Sequence, residues 1–71
     1  MTLDAAPVGF EGTVVGIEGD PVVAERLREI GCVRGEKVRV LSHLIFGEPL
    51  IVEIGGVRVA MRKAEARCVQ V

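Results

Sequence analysis

The clearest periodicity lies in the second half of the chain. From Lys37 to Ser42 polar and apolar residues alternate, so Val38 and Val40 share one face of a strand while Lys37 and Arg39 face water. The period of two returns after Gly47-Glu48-Pro49, with Leu50, Val52 and Ile54 on the inner face and Ile51 and Glu53 on the other. Gly55-Gly56 supplies a two-residue hairpin, because type I′ turns need positive φ at both central positions. Val57, Val59 and Met61 then alternate with Arg58, Ala60 and Arg62. Lys63 to Arg67 has room for one helical turn, and Cys68 to Val71 reads as a last strand with Val69 and Val71 on one face.

The first half changes period once. Residues 1–8 read as an extended N-terminal arm, since Pro7 and Gly9 favour extension and a turn. Phe10 to Ile17 reads as the first strand, with Gly12 and Gly16 as places where it bends. Val23, Leu27 and Ile30 recur at i, i+4 and i+7, the stripe of a short amphipathic helix. Asp20 is placed to accept hydrogen bonds from its first turn, and Pro21 is pre-set for the first helical position. Gly31 stops the helix near Ile30 with positive φ, which places Cys32 to pack back on Leu27. The sum is a mainly β fold, a small antiparallel barrel of about five strands with one short α-helix, in a single domain over 1–71.

Composition sharpens this picture in two places. Of the 71 residues 49% are apolar but only 3% aromatic, so the core must be built from Val, Ile, Leu and Ala. The net charge of −1 gives no global reason to seek nucleic acid or an anionic surface. Its distribution is uneven, for acidic residues dominate before Arg26 while Arg58, Arg62, Lys63 and Arg67 outnumber Glu65 near the end. A small barrel brings its two ends together, and mutual neutralisation is the favoured reading over a basic stripe. Cys32 and Cys68 lie far apart and form no disulfide framework, which suits a reducing cytoplasm. No uninterrupted apolar run is longer than three residues, Leu44-Ile45-Phe46 among them, which is far short of a membrane span, so no direct membrane insertion is expected.

The order and spacing of Arg26-Leu27-Arg28-Glu29-Ile30-Gly31, Val33-x-Gly35-x-x-Val38, Gly47-Glu48-Pro49-Leu50, Gly56 and Val59-Ala60-Met61-Arg62-Lys63-x-Glu65-Ala66 resemble the FeoA family. FeoA proteins are small cytoplasmic components of bacterial ferrous iron uptake, and the resemblance runs from about Gly9 to Val71. It implies an SH3-like β-barrel and a role supporting FeoB, a membrane iron transporter with a GTP-binding domain. The same fold forms the C-terminal domain of iron-dependent repressors, which implies a metal- or ligand-responsive regulatory domain as the alternative. Cys32 stands where the family usually has an aliphatic residue, Arg34 where proline is common, and Cys68 lies outside the pattern.

Candidate chemistry is sparse. One histidine, His43, and two cysteines outside any Cys-x-x-Cys arrangement supply no triad, so no catalytic residue and no enzyme is expected. Packing is the preferred role for both cysteines. No Glu-x-x-His spacing marks a ferrous site, and the expectation is no metal ligand set and no cofactor. Gly19-Asp20-Pro21 and Gly55-Gly56 lack the spacing that wraps a nucleotide's phosphates. With Phe10 and Phe46 as the only aromatics, the platform on which single strands stack is missing, so no nucleic acid is expected.

One stretch is left over. Leu44, Ile45 and Phe46 are three successive apolar residues, which a strand with period two cannot turn to the core together. Either they fold over the barrel mouth as a lid, or they project and dock on a partner, a FeoB-like transporter or another copy of the chain. Leu44, Ile45, Phe46 and the neighbouring Glu48 are the candidate partner-binding residues.

Overall fold

The computed structural model describes residues 1–71. Its strands are β1 (Glu11–Thr13), β2 (Gly16–Ile17), β3 (Lys37–His43), β4 (Leu50–Ile54), β5 (Val57–Met61) and β6 (Val69–Gln70), with helices α1 (Pro21–Glu29) and α2 (Lys63–Ala66). Four strands form an antiparallel sheet in the order β1-β3-β4-β5, and β2 pairs with β6 in a second, two-stranded sheet. Short single-turn 3-10 helices at Leu3–Ala5 and Ile45–Gly47 complete the chain.

The strand alternation is realised almost residue for residue. Val38 and Val40 are buried, as are Leu50, Val52 and Ile54, whereas Lys37 and Arg39 are exposed. On β5 only Met61 is buried; Val59 is half-buried, and Val57, at the hairpin end, is 61% exposed. Gly55 and Gly56 both have positive φ, 56° and 85°, as a type I′ turn requires.

The stretch expected as one strand from Phe10 to Ile17 is two. The N–H of Val14 donates to Glu36 O at 2.9 Å while that of Val15 donates to Gln70 O at 2.7 Å, so the chain leaves one sheet and joins the other between adjacent residues. This corner buries Val14 and exposes Val15, and it lets a chain this short wrap round its core.

Helix α1 starts and stops on its own residues. Asp20 accepts from Val22 N at 2.8 Å, with Pro21 in the first turn. At the other end Gly31, with φ 88°, lets its own N–H reach Arg28 O at 3.0 Å and the N–H of Cys32 reach Leu27 O at 2.8 Å. These two bonds satisfy carbonyls the last turn leaves open, and they carry Cys32 into the core beside Leu27, both fully buried. Ile30, the third member of the expected stripe, is instead the C-cap and is 43% exposed.

The N-terminal residues are not the extended arm the proline and glycine suggest. Leu3–Ala5 make a helical turn in which Leu3 is fully buried and Ala6 nearly so. The segment is held to the C-terminus by a bridge between Thr2 and Gln70 and by Val71 N donating to Met1 O at 2.9 Å. Burial of one large side chain, Leu3, outweighs the local preference for extension, because a chain of this size has few residues with which to close its core. The ends do meet across opposite charge, with Arg67 Nε 3.8 Å from Asp4 Oδ2.

Candidate partner-binding surface

Leu44, Ile45 and Phe46 lie where β3 ends and the chain turns back into β4. A bulge between Val40 and Ser42 shifts the register of β3. His43 then hydrogen-bonds through Nε2 to Ala6 O at 3.0 Å, and Leu44 N donates to Pro49 O at 3.2 Å. Those contacts anchor the base of a loop whose tip touches little. Leu44 is 48%, Ile45 77% and Phe46 97% exposed, so the stretch projects and does not form a lid over the barrel.

The tip has an unusual backbone. Phe46 is the only non-glycine residue with positive φ, at φ 56° and ψ 27°, and Gly47 follows at φ 76°. A β-substituted residue in the left-handed region crowds its own carbonyl, at a cost of about 1 kcal/mol or more. The loop closes on Gly47 N to Leu44 O at 2.9 Å and Glu48 N to Ile45 O at 3.1 Å, bonds that hold Phe46 outward in that conformation.

Glu48 faces another way. Its Oε1 accepts from Lys63 N at 2.8 Å, tying the loop to the first turn of α2. The sequence-derived grouping of Glu48 with the three apolar residues thus joins side chains with different work: Leu44, Ile45 and Phe46 meet solvent, and Glu48 fastens their loop to the barrel. Reading Glu48 as a tether needs the position of Lys63, fifteen residues on, and no local pattern carries it.

The remaining reactive groups are engaged or scattered. Cys32 is buried, and loss of solvent pushes its thiol up to about 11, which makes it a packing group and a poor nucleophile. Cys68 is half-buried against the core, its Sγ 3.5 Å from Ala64 O and packed so tightly on Gly19 that a Cβ there would lie 2.8 Å away. No three His, Cys, Asp or Glu side chains gather where they could hold a metal ion. On the outer sheet face Arg39 binds Glu53 at 3.1 Å, a hydrogen bond and charge pairing that hold the guanidinium protonated. No helix is long and apolar enough to cross a membrane.

A small SH3-like barrel of this kind, with its functional potential on its surface, is a class that solved proteins share. The FeoA domain profile matches residues 1–71, and the chain belongs to the FeoA family. The Stenotrophomonas maltophilia FeoA bound to zinc is 39% identical, with TM-score 0.86 over 100% of this chain and 88% of that one. It is described as a prokaryotic SH3-domain protein and a candidate activating factor of bacterial ferrous iron transport. The Chlorobium tepidum FeoA protein is 33% identical, with TM-score 0.89 over 99% of this chain and 67% of that one. A manganese-dependent transcriptional repressor is 27% identical, with TM-score 0.88 over 97% of this chain and 39% of that one. A comparison with curated proteins gives no match.

Proposed function

We propose that the chain is a non-catalytic accessory protein of bacterial ferrous iron uptake, which binds a FeoB-like membrane transporter at its cytoplasmic side and modulates it by contact. The observation that carries this reading is Phe46, 97% exposed and held at positive φ beside the exposed Ile45. A large apolar side chain presented to water at a backbone cost is a feature that folding does not reward, whereas an interface does. Membership of the FeoA family supplies the transport context. The mechanism is binding: the loop inserts into an apolar pocket of the transporter's cytoplasmic part and favours one of its conformations, with no bond made or broken.

The double variant Ile45→Ser, Phe46→Ser tests it. Co-purification with the transporter from membranes is expected to fall at least tenfold while the melting temperature stays within a few degrees. Undiminished association would count against the loop.

A second reading, a metal- or ligand-responsive regulatory domain, is favoured by the likeness to the manganese-dependent repressor. That protein is far longer, and this chain's helices, of nine and four residues, do not make a helix-turn-helix. Calorimetry with anaerobic ferrous iron separates the two readings: weak or no heat is expected for the adaptor, and tight one-to-one binding would favour the regulator.

A further inference from the structure

We infer that the outer edge of β5 is a docking strand for an extended acidic segment of a partner protein, which would add to the sheet beside Val57–Met61. The inference goes beyond the apolar loop and uses different residues.

The backbone of β5 is open on its outer side. Gly55 N donates to Lys37 O at 3.0 Å, so at the β4–β5 hairpin alternate residues of β4 point to β3 and the others to β5. The pairs Ile54 with Val57, Val52 with Val59 and Leu50 with Met61 therefore exchange the ladder bonds. Arg58 and Ala60 turn their N–H and C=O groups off the sheet, where no strand pairs with them and no other bond takes them up. Proteins ordinarily blunt such an edge with proline, a bulge, an inward charge or charged side chains along it, and of these β5 carries only the arginine Arg58. β5 has no proline, bulge or inward charge and keeps one unbroken register along its whole length. The opposite edge, β1, is three residues long and has the Phe10 ring lying over Gly12.

Charge selects the occupant of that edge. Arg58 and Arg62 share the face opposite Met61, and neither guanidinium is in an ion pair. Glu53, directly across from Arg58, is taken by Arg39. Beside Ala60 and Arg62 runs a groove of about 370 Å³ walled by Arg26, Glu48, Pro49 and Glu65. Of its two carboxylates, Glu65 pairs with Arg26 at 3.2 Å and accepts from Arg62 N at 2.9 Å, whereas Glu48 accepts from the neutral Lys63 N–H and keeps its negative charge. With Arg26 balanced by Glu65, the unpaired Arg58 and Arg62 outnumber Glu48, so the edge is net positive. A second copy of β5 fits poorly, because antiparallel pairing centred on Val59 sets the arginines of the two copies diagonally against each other. The strand that fits carries carboxylates at two positions four apart, spanning about 13 Å to match Arg58 and Arg62. A small residue lies between them, opposite Ala60, and β-branched residues fill the alternate positions beside Val59.

The probe is a capped heptapeptide, threonine-glutamate-valine-alanine-valine-glutamate-threonine, compared with the same peptide carrying lysine for glutamate. By fluorescence anisotropy at low salt the glutamate peptide is expected to bind at least tenfold more tightly. Amide exchange at Arg58 and Ala60 should slow on binding, while Val59, already in the ladder, should not respond. Ala60→Pro removes an outward N–H without touching a ladder bond, and is expected to weaken binding at least tenfold at unchanged melting temperature. Should that variant not fold, the charge-reversed pair Arg58→Glu, Arg62→Glu decides, and it should prefer the lysine peptide. Equal affinity for the two peptides, protection elsewhere in the fold, or self-association through β5 without peptide would overturn the inference. The Ile45→Ser, Phe46→Ser variant should bind the peptide normally, so failure here is distinguishable from failure of the transporter reading.

Discussion

Leu27 with Cys32, and Ile45 with Phe46, are two short apolar stretches that follow opposite rules. At the end of α1 a left-handed glycine closes two backbone hydrogen bonds, and the turn they make swings Cys32 into the core against Leu27. At the end of β3 the left-handed position is occupied by Phe46 itself, and the turn around it swings the ring out into water. Both turns satisfy their own peptide groups, so hydrogen bonding does not separate them. What separates them is where the left-handed residue falls relative to the large side chain: beside it in one turn, on it in the other. The first turn lowers the free energy of the fold, and the second leaves apolar surface available to a partner.

The largest effect is expected on the buried side. Leu27→Ala removes a fully buried side chain and should cost about 2–5 kcal/mol, enough to unfold much of a chain this small; chemical denaturation measures it. A loss below 1 kcal/mol would mean the helix is not pinned as described.

Cys32 tests the same junction through pH. Its thiol stays neutral in the fold up to about pH 11, against an ordinary value of 9.0 for the unfolded chain. Between those values the unfolded state releases a proton that the folded state keeps, so stability falls as pH rises from 9 towards 11 and is unaffected below that window. The loss is at most about 3 kcal/mol, by the conversion of pKa difference to free energy. Cys32→Ala should flatten that slope, and an unaltered slope would assign it to other groups.

The smallest effect lies on the exposed side. Phe46→Gly relieves the left-handed conformation and should leave stability unchanged or raise it by about 1 kcal/mol or less. With the transporter it should behave as the serine variants do. A destabilisation above 1 kcal/mol would show that the ring packs on the barrel.

How much of this was legible in advance follows the range of the interactions. Val38, Val40, Leu50, Val52 and Ile54 declare their faces by alternation, and Asp20, Pro21 and Gly31 declare the ends of α1, because each rule spans a few residues. The resemblance to the FeoA family, carried by the spacing of those same elements, is confirmed by the match over residues 1–71. The break of the first strand at Val14, the burial of Leu3, the tether from Glu48 to Lys63 and the open edge of β5 follow from contacts between distant segments. Three apolar residues in a row at the end of β3, just before Gly47-Glu48-Pro49, marked Leu44 to Phe46, yet their spacing fits a lid as well as a projection.

The amino-acid sequence alone settled β3, β4 and β5, the helix α1 and its two caps, and most of the side chains that fill the core, since propensity, periodicity and capping act within one or two turns of chain. Tertiary structure decided which ends close on each other, which edge stays open and which apolar residues meet water. Those outcomes depend on how six short strands and two helices share one small interior, a competition for burial that no local stretch of chain can resolve.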